Sequence, residues 1–215
     1  MTILLKVQAY LSKLGKSRFT GQHAYLRSSV FWPGYFKGAS MKLRHATKSD
    51  LPVILEIHND AVKTLAAIWT DALETLEDRK NWFENRIAGG FPIIVAEDDN
   101  GDVLGYGSYG PFREKPGYNK TMEHSVYVTP QSRGKGAGSV LLEKLIELAK
   151  QDQKHVLIGA IDSDNKGSIR LHERYGFKVS GELPQVGFKF GRWLDLTLMT
   201  LILNNDKAPA AYMHD

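Results

Sequence analysis

The sequence has no cysteine, which excludes disulfide frameworks, thiolate zinc sites, iron–sulfur clusters and cysteine nucleophiles. Such a composition suits a reducing compartment. No apolar run approaches the ~18 residues that a membrane span needs, so we expect no membrane partner. Acidic residues are missing from the first forty positions, which carry Lys6, Lys13, Lys16, Arg18, Arg27 and Lys37. The whole chain has 28 basic and 24 acidic residues, a net charge of +4 that points toward nucleic acid. That surplus is local. Beyond residue 40 there are 22 basic and 24 acidic residues, a net of −2, so we expect no nucleic-acid partner. What the chain does hold is 42% apolar residues, with four Trp, nine Tyr and nine Phe. A chain of this length can bury roughly 70% of its unfolded surface.

Within residues 1–40, Leu4, Val7, Leu11 and Leu14 recur at helical spacing between lysines, forming a short basic amphipathic stretch. Lys6 and Gln8 interrupt the apolar region that a secretory signal requires. Three roles stand open for this segment: an extension outside the fold, a targeting or membrane-surface helix similar to an organellar presequence, and a partner contact. We expect the folded domain over 41–205 and a loose tail over 206–215. The expected location is cytoplasmic, or organellar if the extension is an address.

From Met41 the patterning is regular. Met41 to Ala46 alternates as a strand, and Thr47-Lys48-Ser49-Asp50 with Pro52 starts a helix with Leu51, Ile54, Leu55, His58, Ala61, Val62 and Leu65 on its inner face. Thr75-Leu76-Glu77-Asp78 starts a second helix, which Gly89-Gly90 stops. Phe91–Glu97 and Val103–Tyr109 flank a tight turn and read as a hairpin. A strand over Glu123–Val128, a glycine-rich loop and a long helix follow, then a strand to Ile161, a helix to Tyr175 and two closing strands. Early hairpin pairing followed by strand–helix alternation predicts one mixed sheet flanked by helices.

The loop Arg133-Gly134-Lys135-Gly136-Ala137-Gly138 offers backbone N–H groups at a helix start, beside two cations, and suits a phosphate or pyrophosphate. A Walker loop is excluded because Gly136 follows Lys135 where Ser or Thr is needed. A dinucleotide fingerprint from Gly134 would need glycine at Ser139. The Arg-x-x-Gly-x-Gly of Arg133, Gly136 and Gly138 instead resembles the pyrophosphate loop of the GNAT N-acetyltransferases, which use acyl-coenzyme A.

The resemblance extends over about 41–204. Leu171-His172-Glu173-Arg174-Tyr175-Gly176-Phe177 is similar to the closing helix of that fold. Ala66-Ala67-Ile68-Trp69, Glu123-His124-Ser125-Val126-Tyr127-Val128 and Val186-Gly187-Phe188-Lys189-Phe190-Gly191-Arg192-Trp193-Leu194-Asp195-Leu196 resemble the phosphinothricin and methionine sulfoximine acetyltransferase group. In the herbicide-inactivating branch a histidine stands where this chain has Phe190, so the segment is closer to the methionine sulfoximine or sulfone branch. The resemblance implies an α/β (α+β type) GNAT fold with one mixed, mainly antiparallel sheet and about four helices. It also implies acetyl-CoA as co-substrate without a metal, a homodimer, and amino-acid-analogue detoxification including herbicide resistance. By the same resemblance Val126, Tyr127 and Val128 contact the acetyl and pantetheine portion through main-chain groups. Arg133, Gly134, Lys135, Gly136, Ala137, Gly138 and Ser139 hold the pyrophosphate, and Asn165 bonds the pantetheine arm. Pro116, Gly117 and Tyr118 line the acceptor site.

Acetyl transfer to an amine needs a base, an oxyanion donor and a departing thiolate. Glu123 is the candidate base, with an exposed strand carboxylate or an Arg113 partner as the structural alternatives. The Val128 N–H is the candidate oxyanion donor. His172 stands where many GNAT enzymes place a tyrosine near the thiolate, and is either a general acid or a packed helix residue. His124 reads as structural, and His45, His58 and His155 lack metal-ligand spacing. Arg113, Lys189 and Arg192 are candidates for an acceptor carboxylate, and Trp69 for its side chain. The expected activity is N-acetylation of a small amino acid or analogue. Acetylation of another amine and a non-catalytic acyl-CoA-binding module are the alternatives.

Overall fold

The computed structural model describes residues 32–36 and 39–205. Its strands are β1 (Trp32–Phe36), β2 (Ala39–His45), β3 (Ile93–Glu97), β4 (Val103–Pro111), β5 (Thr121–Val128), β6 (Val156–Asp162), β7 (Lys178–Lys189) and β8 (Arg192–Ile202). Its helices are α1 (Leu51–Thr64), α2 (Leu76–Ala88), α3 (Ala137–Gln151) and α4 (Lys166–Arg174). One sheet runs in the order β1-β2-β3-β4-β5-β6-β8-β7, and every neighbouring pair is antiparallel except β5–β6. β1 lies within the stretch read as an extension and pairs with β2 at the sheet edge. The basic amphipathic stretch and the C-terminal tail lie outside the described residues.

Local chemistry sets the helix ends. At α2 the Thr75 hydroxyl accepts from the Asp78 N–H at 3.2 Å while the Asp78 carboxylate accepts from the Thr75 N–H at 2.9 Å. This reciprocal cap stabilises the first turn by about 1 kcal/mol. At the start of α1, Asp50 accepts from the Thr47 N–H and also receives two bonds from Arg44, so the buried carboxylate is fully engaged. The inner face of α1 is Leu51, Ile54, Ile57, Ala61 and Val62. Ile57 is buried where the sequence reading favoured Leu55, which is only half-buried.

Strand alternation sends Ile94, Ala96 and Tyr109 to one face and Ile93, Val95 and Tyr106 to the other. The first set packs under α3 with Leu141, Leu142 and Leu145, in the larger apolar cluster. The second packs under α1 and α2 with Ile54, Ile57 and Phe83. The interior therefore has two layers, one on each side of the sheet. Between β5 and β6 the sheet splits. Their parallel register covers only Thr121–Glu123 against Val156–Ile158. Beyond it β5 stays with β4 as far as Val128, while β6 follows β8 as far as Asp162.

Candidate active site at the split sheet

The split exposes backbone. The Thr129 N–H donates to the Leu104 carbonyl at 2.9 Å, on the β4 side. Because N–H groups alternate between strand edges, those of Val126 and Val128 face the opening toward β6. Among the described residues no strand pairs with that edge of β5 beyond Glu123. The apex is filled by two buried histidines, His124 from β5 and His172 from α4. His124 Nδ1 lies 2.7 Å from the Ile158 carbonyl, the two Nε2 atoms are 2.9 Å apart, and His172 Nδ1 lies 2.7 Å from the Ser168 carbonyl. Three contacts need three N–H hydrogens, and two neutral imidazoles carry two. Burial pushes both titrations down, and no carboxylate acts on either ring. Making all three contacts hydrogen bonds takes a third hydrogen and puts one positive charge on the pair, which burial opposes.

At the wide end the loop of β5 enters α3. Gly134 and Gly136 take φ of 74° and 93°, a left-handed conformation that side chains disfavour. Gly136 is the helix N-cap, and no side chain caps it. The Ser139 and Val140 N–H groups both donate to the Gly136 carbonyl, so the donors of Ala137 and Gly138 remain to bind an anion. Lys135 is exposed beside them. Arg133 differs from expectation: its guanidinium donates to Asp60 at 2.9 Å and ties the loop to α1. Ser139 Oγ is 2.8 Å from the Tyr175 hydroxyl. Asn165 caps α4, its oxygen accepting from the Ser168 N–H at 3.0 Å.

Across the sheet, on the α1–α2 side, Glu123 is half-buried and burial raises its pKa above the ordinary carboxylate value, with Arg86 acting in the opposite direction. The cation that acts on Glu123 is therefore Arg86, where one structural alternative in the sequence reading had named Arg113. Arg113 is exposed and stacks over Phe112 at 4.9 Å and Tyr118 at 6.0 Å. Pro116, Gly117 and Tyr118 form a single exposed turn at that rim.

Two of the proposed carboxylate binders are otherwise engaged. Lys189 is 1% exposed, and its ammonium donates to the carbonyls of Val62, Leu65 and Ile68 at 2.5, 3.0 and 2.6 Å. All three of its hydrogens are satisfied, capping the end of α1 and fixing the loop beyond. Arg192 pairs with Asp164 at 2.9 Å. The pinned loop carries Trp69, whose indole N–H donates to the Ala66 carbonyl at 2.8 Å. The Trp69 ring lies flat against Gly187 of β7, where any side chain would overlap it. The far end of the loop is held by reciprocal bonds between Asn59 and Glu74, and Glu74 also pairs with buried Arg79 and with His58. Sequence reasoning missed Arg86 altogether. Its only trace is Gly110, a glycine whose meaning depends on a pairing that spacing does not reveal.

A mixed sheet that splits beside a left-handed glycine loop, with free main-chain donors on both, is the architecture of an acyl-CoA-dependent transferase. Residues 54–177 match the model of the acetyltransferase (GNAT) family, and the chain belongs to that family. It is similar to the L-methionine sulfoximine/L-methionine sulfone acetyltransferase of Pseudomonas aeruginosa, 52% identical over 77% of this chain and 96% of that protein. It is 47% identical to an L-amino acid N-acyltransferase of Escherichia coli, over 80% of this chain and 99% of that one. Among solved structures, an acetyltransferase from Salmonella typhimurium with its cofactor acetyl-CoA matches with a TM-score of 0.77 and 48% identity, covering 80% and 98% of the two chains. A phosphinothricin acetyltransferase from Sinorhizobium meliloti in complex with acetyl-CoA gives a TM-score of 0.77 at 32% identity, covering 80% and 94%. Among the described residues no helix is long and apolar enough to cross a membrane, and no three His, Asp or Glu side chains group as metal ligands.

Proposed function

We propose that this protein transfers acetyl from acetyl-CoA to the α-amine of a small amino acid or analogue: methionine sulfone, methionine sulfoximine or phosphinothricin. The observation that carries this reading is the split between β5 and β6, which sets free donors on Val126 and Val128 in line with the α3 glycine loop. Gly134 to Ser139 receive the pyrophosphate, Val126 to Val128 and Asn165 the pantetheine arm, and the reactive thioester lies against β5. The side chain of Glu123 is on the α1–α2 face, which we read as the acceptor side. There Glu123, directly or through water, removes a proton from the ammonium. The free amine attacks the thioester carbon, the Val126 N–H stabilises the oxyanion, and the carbon–sulfur bond breaks to give the amide and the CoA thiolate; the Val128 N–H, five residues from Glu123 and so ~16 Å along β5, serves the pantetheine arm. Both ring nitrogens of His172 have protein partners, so we place it in the apex packing and assign the thiolate's proton to solvent. Trp69, Arg113, Pro116, Gly117 and Tyr118 form the acceptor wall.

Incubating the full chain with acetyl-CoA and an amine panel, while following free thiol, tests the reading. Release with methionine sulfone or sulfoximine and not with polyamines is expected. No release above background with any amine, together with normal acetyl-CoA binding, would establish the non-catalytic alternative. We further propose a homodimer, because Val186, Phe188, Phe190 and Trp193 at the β7–β8 hairpin are 52–61% exposed, an apolar surface suited to a second copy; the cysteine-free sequence suits a cytoplasmic location. Sedimentation velocity should then show about twice the monomer mass, and Phe188→Asp should shift it to monomer.

A further inference from the structure

Arg86 is out of keeping with the other cations on the α1–α2 side. It is half-buried, and burial lowers its pKa. Among the described residues its guanidinium has no hydrogen bond and no carboxylate within 4.0 Å; only the longer-range fields of Glu123 and Arg79 act on it. Arg79 from the same helix is buried against Glu74, and Lys189 is bonded to three carbonyls. A desolvated charge left without a partner is costly and is retained where something else supplies one.

Its position says what that is. The guanidinium lies directly over the α-carbon of Gly110, in the volume that a side chain there would fill. Gly110 is the register partner of Glu123 in the antiparallel β4–β5 pair. Directly opposed residues present their side chains on the same sheet face, ~5 Å apart. The site thus sets one carboxylate and one guanidinium side by side without closing the gap between them. An α-amino acid carries the complementary charges, an ammonium and a carboxylate, on a single carbon. We propose that Arg86 binds the acceptor's α-carboxylate while Glu123 receives its amine, and that Gly110 is glycine to make room for that guanidinium. This rests on the acetyltransferase reading above and names the residue that selects amino acids over simple amines.

The experiment compares L-methionine sulfone with its α-carboxamide as acceptors, for the wild type and for Arg86→Gln, Arg86→Lys, Gly110→Ala and Arg113→Gln, each first shown to be folded by circular dichroism. Arg86→Gln should raise KM for the carboxylate acceptor on the order of 100-fold, raise that for the carboxamide far less, and leave KM for acetyl-CoA unchanged. Arg86→Lys should recover part of the loss, and Gly110→Ala should reproduce it by displacing the guanidinium. Equal losses with both acceptors, or a selective loss in Arg113→Gln in place of Arg86→Gln, would overturn the assignment. If the wild type acetylates neither compound, the activity reading fails and the inference is judged by calorimetry of methionine sulfone binding in the presence of coenzyme A. Binding weakened about 100-fold by Arg86→Gln upholds it; equal binding, or none to the wild type, overturns it.

Discussion

The two sides of the sheet solve different problems with different materials. On the α3–α4 side, the groups left available are main-chain donors at a strand edge and a helix start, and the polar side chains beneath them, His124 and His172, face each other. On the α1–α2 side, the main chain is consumed by sheet bonds and the free groups are side chains, Glu123 and Arg86, drawn from β5 and α2. A co-substrate common to a whole family needs only backbone geometry. An acceptor that varies needs groups that substitution can change without disturbing the sheet.

The sharpest way to break this contrast is Glu123→Gln. With the proposed base removed, kcat/KM should fall by about 10²–10⁴ while acetyl-CoA affinity stays constant. The pH profile adds the sign: burial raises this carboxyl, so activity should decline as pH falls toward a midpoint above the ordinary ~4.3, and the variant should lack that limb. Lys189→Met should cost about 2–3 kcal/mol in urea unfolding, since three carbonyls lose their donor, and should raise the acceptor KM more than that for acetyl-CoA. Gly136→Ala attacks the other side. Its left-handed φ makes a side chain cost about 1–2 kcal/mol, which should appear as roughly tenfold weaker acetyl-CoA binding with the acceptor KM unmoved.

The histidine pair predicts a pH slope in stability. Both rings titrate lower in the folded protein than the ~6.5 of the unfolded chain, which therefore binds more protons below that pH. Stability should be full above pH 6.5 and fall as pH drops below it, by up to about 1.4 kcal/mol per unit for each histidine. Replacing both by glutamine should flatten unfolding free energies measured between pH 7 and 5. The smallest effect belongs to Arg192→Ala, whose half-exposed pair with Asp164 should change stability by less than about 0.5 kcal/mol and KM for a carboxylate acceptor not at all.

The same contrast governs how much was legible beforehand. Helix starts at Thr47 and Thr75, the hairpin over 98–101 and the glycine loop are local chemistry, encoded within a few residues, and the structure shows them in place. The expected GNAT sheet followed with them. Lys189 and Arg192, by contrast, looked alike as exposed cations near a pocket wall. Their fates diverge because the end of α1 and the Asp164 turn, each far away in sequence, reach one and not the other. Arg86 was invisible for the same reason: its meaning depends on Gly110 and Glu123, which the β4–β5 register alone brings opposite each other. Long-range pairing decides which charge is satisfied, and residue spacing carries no record of it.

The clamp formed by Lys189 also sets an order of events. It joins residues 121–127 positions apart, and its strand β7 is separated from β6 by β8, the last strand among the described residues. During synthesis the β2–β5 sheet, the glycine loop and α3 can form while the ribosome is still making the C-terminal hairpin. The loop that carries Trp69 gains its Lys189 anchor once β8 has joined β7 to the sheet. On the proposed assignment of the Trp69 loop to the acceptor, a nascent chain would form its glycine loop early and gain the means to discriminate among amines last.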